Sequence, residues 1–188
     1  YHPLDAFQSN TPDTLTGKCQ IVFNSRKATN HTPIKLPCGR CIGCRLERSR
    51  QWAIRCMHEA SLYKSNCFIT LTISPSGFQK LAGKGERGYD NPHTLDVRDF
   101  QRFMKRLRKK FGPKIRFYHC GEYGERTMRP HYHACLFNFD FDDKQLWSVK
   151  NGSRLYTSAT LEKLWPYGFS TIGEVTFESA AYVARYIM

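Results

Sequence analysis

The segment from Ile115 to Phe139 leaves this chain few ways to fold. Ile115–Cys120 reads as a strand, Gly121–Pro130 as a turn-rich link and His131–Phe139 as a second strand. The two therefore pair as an antiparallel hairpin. Side chains alternate across a strand, so His131 and His133 share one face and Tyr132 takes the other. Two imidazoles on one face can hold a metal ion from one side and leave other positions open, as a catalytic site requires. A bare His-x-His pair is as often a packing feature, so its surroundings decide. The preceding strand delivers Glu122 into the hairpin as an oxygen ligand, with Glu125, deeper in the turn, as the alternative. Two imidazoles and a carboxylate suit Mn²⁺ or Mg²⁺ at a phosphoryl-transfer site.

Around this hairpin the pattern is mixed. Residues 1–37 are polar and turn-rich, with one short strand at Gln20–Phe23. A helical period runs from Cys41 to Tyr63 through Ile42, Leu46, Ala53, Cys56, Met57 and Ala60. Cys67–Ile73 is a β-branched strand stopped by Ser74-Pro75, and residues 74–93 read as a long loop. Val97, Phe100, Phe103, Met104, Leu107 and Phe111 form the stripe of an amphipathic helix ended by Gly112-Pro113. Residues 140–156 read as an irregular excursion, Ser158–Trp165 as a short helix, Phe169–Thr176 as a strand, and Ser179 as the start of a final helix. Hairpins interleaved with helices predict an α+β fold, a central antiparallel sheet with packed helices. The expected division is an N-terminal Cys-containing extension with a basic helix over 1–63, packed on a catalytic domain over 64–188, or one continuous domain. The chain opens on Tyr1 and ends on Met188 within a helical pattern, as a piece of a longer protein would.

Tyr182 and Tyr186 are four apart, so their hydroxyls share one face of the final helix. Aromatic packing is the plainer reading; a phenol is also a nucleophile, weak when neutral and helped by a cation on its target phosphate. The substrate is indicated by charge: 29 basic against 16 acidic residues give +13. Arg98, Arg102, Lys105, Arg106, Lys109 and Lys110 line the outer side of the 97–111 helix, a face suited to a phosphate backbone. Exposed aromatics among such charges can stack on bases of a single strand. No apolar run approaches the ~20 residues that span a bilayer.

Eight cysteines do not read as disulfides. Cys56, Cys67, Cys120 and Cys135 sit in apolar-periodic segments, as buried thiols do, which favours a reducing cytoplasm. Cys38, Cys41 and Cys44 recur at three-residue intervals where the chain turns into a helix. With Cys19 as a fourth ligand they would make a structural Zn²⁺ site. An iron–sulfur centre and three reduced thiols are the alternatives.

Together these motifs resemble those of HUH endonucleases, and more closely the replication initiators of small single-stranded DNA microviruses of the gokushovirus branch. The carriers, in order, are Pro37-Cys38-Gly39-Arg40-Cys41-Ile42-Gly43-Cys44-Arg45, Phe68-Ile69-Thr70-Leu71-Thr72, Gly121-Glu122-Tyr123-Gly124, Arg129-Pro130-His131-Tyr132-His133 and Tyr182-Val183-Ala184-Arg185-Tyr186. The resemblance implies a split βαβ sheet like that of RNA-recognition domains, with the histidine strand central and the tyrosine helix alongside. It implies rolling-circle initiation in the cytoplasm of a bacterial host, with host replication proteins as partners. A tyrosine attacks a phosphate of single-stranded DNA at an origin, keeps the 5′ phosphate and releases a 3′ hydroxyl. Tyr182 and Tyr186 match the two-tyrosine pattern, and His131, His133 and Glu122 the metal ligands. Two features depart from the family: Ile73 stands where an aromatic is usual, and Met188 comes before the expected lysine. An HUH transposase or relaxase, a non-catalytic zinc-stabilised nucleic-acid-binding module and a small-molecule metalloenzyme are the rivals. The last leaves +13 unexplained. The origin sequence and the oligomeric state are not legible.

Overall fold

The computed structural model describes residues 3–28, 30–83, 94–124, 127–150 and 152–187. It divides into two units, residues 1–48 and 49–188. The first holds a three-stranded antiparallel sheet of β1 (Pro3–Pro12), β2 (Cys19–Val22) and β3 (His31–Pro37), with β1 in the middle. The expectation of a single strand before residue 37 is thus corrected. Within β1 only Ala6 is buried, so the strand lacks the apolar face on which alternation depends.

Helix α1 (Ile42–Ser61) follows the cysteine cluster. Its expected stripe is buried only at Ala53, Cys56 and Ala60; Ile42 and Leu46 are 78% and 56% exposed. The second unit continues with β4 (Asn66–Thr72), α2 (Pro75–Gly83), α3 (Val97–Phe111), β5 (Arg116–Tyr123) and β6 (Pro130–Phe137). Then come β7 (Lys144–Lys150), β8 (Ser153–Ser158), α4 (Ala159–Leu164), β9 (Ser170–Gly173) and α5 (Phe177–Ile187). The six strands form one antiparallel sheet in the order β5-β6-β4-β9-β8-β7. The fold is α+β, and the histidine strand β6 is flanked on both sides.

The sheet separates two packed layers. On one face Ile69, Leu71, Tyr132, Leu136 and Ile172 meet Phe100, Phe103, Met104 and Leu107 of α3, with Trp165 sealed among them. Each large apolar side chain so buried contributes roughly 1.5–3 kcal/mol. On the other face Cys120, Cys135 and Phe137 meet Ala53, Cys56 and Ala60 of α1 and Ala180 and Val183 of α5. Cys56, Cys67, Cys120 and Cys135 are buried, and all eight cysteines are free. Burial pushes the Cys56 thiol up to about 11 and that of Cys120 up to about 12.

Three expectations change here. The loop assigned to 74–93 opens with α2, whose Phe78 and Leu81 are buried; residues 84–93 lie outside the described residues. Ser74-Pro75 ends the strand, yet it also starts this helix. The Ser74 hydroxyl accepts from the Gly77 amide at 3.0 Å, and proline suits the first helical position. The excursion at 140–156 is largely the β7–β8 hairpin. The final helix begins at Phe177 rather than Ser179. Thr176 and Ser179 exchange hydroxyl–amide bonds, so Ser179 is the third residue of a reciprocal cap.

Candidate active site

Strand register assembles the site. His131 lies opposite Glu122 on β5 and Thr72 on β4; His133 lies opposite Cys120 and Thr70. The two imidazoles are parallel within 10°, with ring centres 6.2 Å apart, on the same face as the sequence spacing predicts. Tyr132 points into the opposite layer, where its hydroxyl accepts from the Asp96 amide at the start of α3 at 3.0 Å. That anchor fixes the rotation of β6 about its axis.

Glu122 gathers the polar groups. Its Oε1 accepts from the Tyr182 hydroxyl at 2.6 Å and lies 3.0 Å from His133 Nε2. Burial alone would raise the Glu122 carboxyl; hydrogen bonds from Tyr182 and Tyr186 and the neighbouring His133 outweigh it and hold the group below its usual range. Burial, and then the bond to Glu122, push the Tyr182 phenol far up, so it is neutral at rest. Burial also outweighs Glu122 at His133 and lowers that imidazole. The Tyr182 ring packs edge-on to His133, 5.1 Å between centres, and Tyr186 lies 5.1 Å further on, partly exposed.

The residues fit a divalent cation. His131 Nδ1 is 2.7 Å from the Arg129 carbonyl, and His133 Nδ1 is 3.0 Å from the Thr70 hydroxyl. Imidazoles tied at Nδ1 present Nε2 to a metal. Glu122 Oε2 is buried and has no hydrogen-bond partner among the described residues. The ligand atoms of His131, His133 and Glu122 do not all close to within 4.8 Å of one another. Glu125 lies outside the described residues. Sequence reasoning missed Thr70 as a support for His133, although β4 alternates Phe68, Thr70 and Thr72 on one face. It also missed Gly124, where a Cβ would stand 2.9 Å from His131 Cε1.

Cys38, Cys41 and Cys44 do converge: their sulfurs lie within 4.8 Å of one another, and the Cys41 amide donates to Cys38 Sγ at 3.3 Å. A trio this close can hold a metal such as zinc. Cys19 does not join them. It pairs with Pro12 at one end of β1, whereas Pro37 pairs with Pro3 at the other. Nine residue steps of strand put roughly 30 Å between those ends.

The basic residues of α3 lie in the layer opposite the histidines. Two are engaged by the fold: Arg98 pairs with Asp96 at 2.7 Å, and Arg106 donates to the Leu164 carbonyl at 3.0 Å. Lys105, Lys109 and Lys110 are exposed, and Arg102 is half-buried. Among the described residues no helix is long and apolar enough to cross a membrane.

Comparison with known proteins agrees with this architecture. The family model for replication-associated protein ORF2 and its relatives matches residues 66–188, from β4 to the tyrosine helix. Replication-associated protein VP4 of Bdellovibrio phage phiMH2K is 36% identical over 180 residues, 88% of this chain and 52% of that protein. Replication-associated protein ORF2 of Spiroplasma virus 4 is 38% identical over 157 residues, 80% of this chain and 47% of that protein. Replication-associated protein ORF4 of Chlamydia phage 1 is 30% identical over 165 residues, 81% and 37% of the two chains. The chain therefore spans about half the length, or less, of these curated relatives. No solved structure matches. The chain belongs to the replication-associated protein ORF2 family, of the microvirus-like kind that its motifs resemble.

Proposed function

We propose that the chain initiates rolling-circle replication by nicking and rejoining single-stranded DNA at a phage origin. The observation that carries this reading is the hydrogen bond from the Tyr182 hydroxyl to Glu122, beside paired imidazoles on one sheet face. A neutral phenol is a poor nucleophile, so it needs a proton acceptor and an activated target. Glu122 takes the phenolic proton as Tyr182 Oη bonds to phosphorus. The bond from phosphorus to O3′ breaks, O3′ gains a proton, and the 5′ phosphate stays on the tyrosine. The phosphoester is exchanged rather than hydrolysed, so a 3′ hydroxyl can reverse the step and reseal the strand. Tyr186, one turn along α5, attacks at the regenerated origin while Tyr182 still holds the first end.

His131, His133 and Glu122 Oε2 hold Mn²⁺ or Mg²⁺, which polarises the scissile phosphate as a Lewis acid. Thr70 and the Arg129 carbonyl orient the two imidazoles. Lys105, Lys109 and Lys110 of α3 hold phosphates beyond the site, with Arg102 beside them. Arg98 and Arg106 stay with their protein partners. Cys38, Cys41 and Cys44 hold a structural Zn²⁺ that orders the turn into α1. In the host cytoplasm the freed 3′ hydroxyl primes the host's replication proteins.

The test uses single-stranded oligonucleotides tiled across the phage genome that encodes the chain. With Mn²⁺, one oligonucleotide is cut, its new 3′ end primes a polymerase and its new 5′ end is blocked by protein. Cleavage that leaves a free 5′ phosphate would refute tyrosine transfer, and cleavage undiminished by a chelator would refute the metal.

A further inference from the structure

Trp147 and Phe169 form an exposed aromatic pair that the proposed chemistry does not use. Their ring centres are 4.9 Å apart with a 59° tilt, and they are 55% and 48% exposed. Phe169 sits just before β9. Ser170 and Ile172 point into the α3 layer, so alternation turns Phe169 to the histidine side of the sheet. The Thr72 amide donates to the Phe169 carbonyl at 2.9 Å, and Thr72 in turn lies opposite His131. Glu122, His131, Thr72 and Phe169 therefore form one row across four strands. Phe169 is two strands from His131, about 10 Å at the usual spacing. A DNA strand whose phosphate sits at His131 and runs along this row passes over Phe169 and reaches Trp147.

Resting on the nicking reading, we propose that Trp147 and Phe169 are a base-stacking platform for the single-stranded DNA flanking the scissile phosphate. Every base has a π-face, so such a platform binds without regard to sequence and holds the strand in register with the tyrosines. Trp147 sits at a bulge of edge strand β7, where the break in the ladder redirects its side chain. Exposed Leu146 and Val149 on the same strand raise a rival occupant, a second copy of the chain. A net charge of +13 opposes self-association and favours a polyanion. The other tryptophans cannot substitute for Trp147. Trp165 is fully buried, and Trp52 is stacked on Tyr118 at 5.2 Å with Arg55 over its ring at 4.8 Å.

Tryptophan emission and anisotropy of a labelled oligo-dT, on the full chain, test the platform. Oligo-dT quenches the wild-type emission. Trp147→Phe removes most of that quench and keeps the affinity. Trp147→Ala and Phe169→Ala each weaken binding about tenfold. A quench undiminished in Trp147→Phe, or unchanged affinity in both alanine variants, would overturn the proposal. So would sedimentation showing a dimer that Trp147→Ala dissociates while DNA binding is unaffected. Adduct formation at an origin strand is scored in parallel. Wild-type adduct with no role for the aromatic pair refutes the platform alone, whereas no adduct and no oligo-dT binding refutes the nicking reading with it.

Discussion

Tyr182 and Glu122 stand 60 residues apart in the chain and are joined by a 2.6 Å hydrogen bond from phenol to carboxylate. Helix α5 supplies one partner and β5 the other. The helix is held on that face by Ala180 and Val183, packed against Cys120 and Cys135 of the sheet. Packing that looks merely structural thus sets the distance between the proposed nucleophile and its proton acceptor. Glu122→Gln keeps the size of the side chain and removes its basicity. The rate of adduct formation is expected to fall about 10²–10⁴-fold, the usual worth of a positioned general base. Single-turnover kinetics at saturating Mn²⁺ check this, and an unchanged rate would remove Glu122 from the chemistry.

Thr70→Val deletes the hydroxyl that lies 3.0 Å from His133 Nδ1 while keeping the branched shape that β4 favours. Loss of such an outer support costs about 10–100-fold in metal affinity. Calorimetric titration with Mn²⁺ is expected to show that loss with the circular dichroism spectrum unchanged. Equal affinity would mean that Thr70 does not orient the imidazole.

Gly124→Ala places a methyl group 2.9 Å from His131 Cε1, closer than carbon atoms pack. The ring must shift, and His131 Nδ1 loses its alignment with the Arg129 carbonyl. The variant is expected to fold with a wild-type melting temperature and to bind Mn²⁺ more weakly. A wild-type Mn²⁺ titration would show that the ring accommodates the methyl.

Cys41→Ser removes the middle thiol of a trio whose sulfurs lie within 4.8 Å of one another. Purified wild-type protein is expected to carry one zinc by mass spectrometry, and the variant none. Cys19→Ser is expected to leave the zinc content unchanged, because β1 separates Cys19 from the trio. Zinc lost equally from both variants would contradict the strand register of the first unit.

The legible parts of this fold were those with an apolar period. Helix α3 and strands β4, β5 and β6 each bury one face, and their stripes survive in the sequence. Strands β1 and β3 bury almost nothing, so polar pairing left no pattern to read. The short helix α2 was hidden because Ser74-Pro75 serves both as a strand stop and as a helix start. At the site, residue spacing foretold the shared face of His131 and His133. What it could not foretell was strand register, which sets Thr70 against His133 and Glu122 against His131. Nor could a helical stripe of arginines show that Arg98 and Arg106 turn back to Asp96 and Leu164.

The central claim is covalent transfer to a tyrosine of α5. The most direct measurement is a denaturing gel of the wild type, Tyr182→Phe, Tyr186→Phe and the double variant, each incubated with Mn²⁺ and the cleaved origin oligonucleotide. Because Tyr182 bonds Glu122 and Tyr186 lies farther out, Tyr182→Phe is expected to lose most of the first adduct and Tyr186→Phe to retain it. The double variant is expected to form none. An adduct that persists in the double variant would contradict the account.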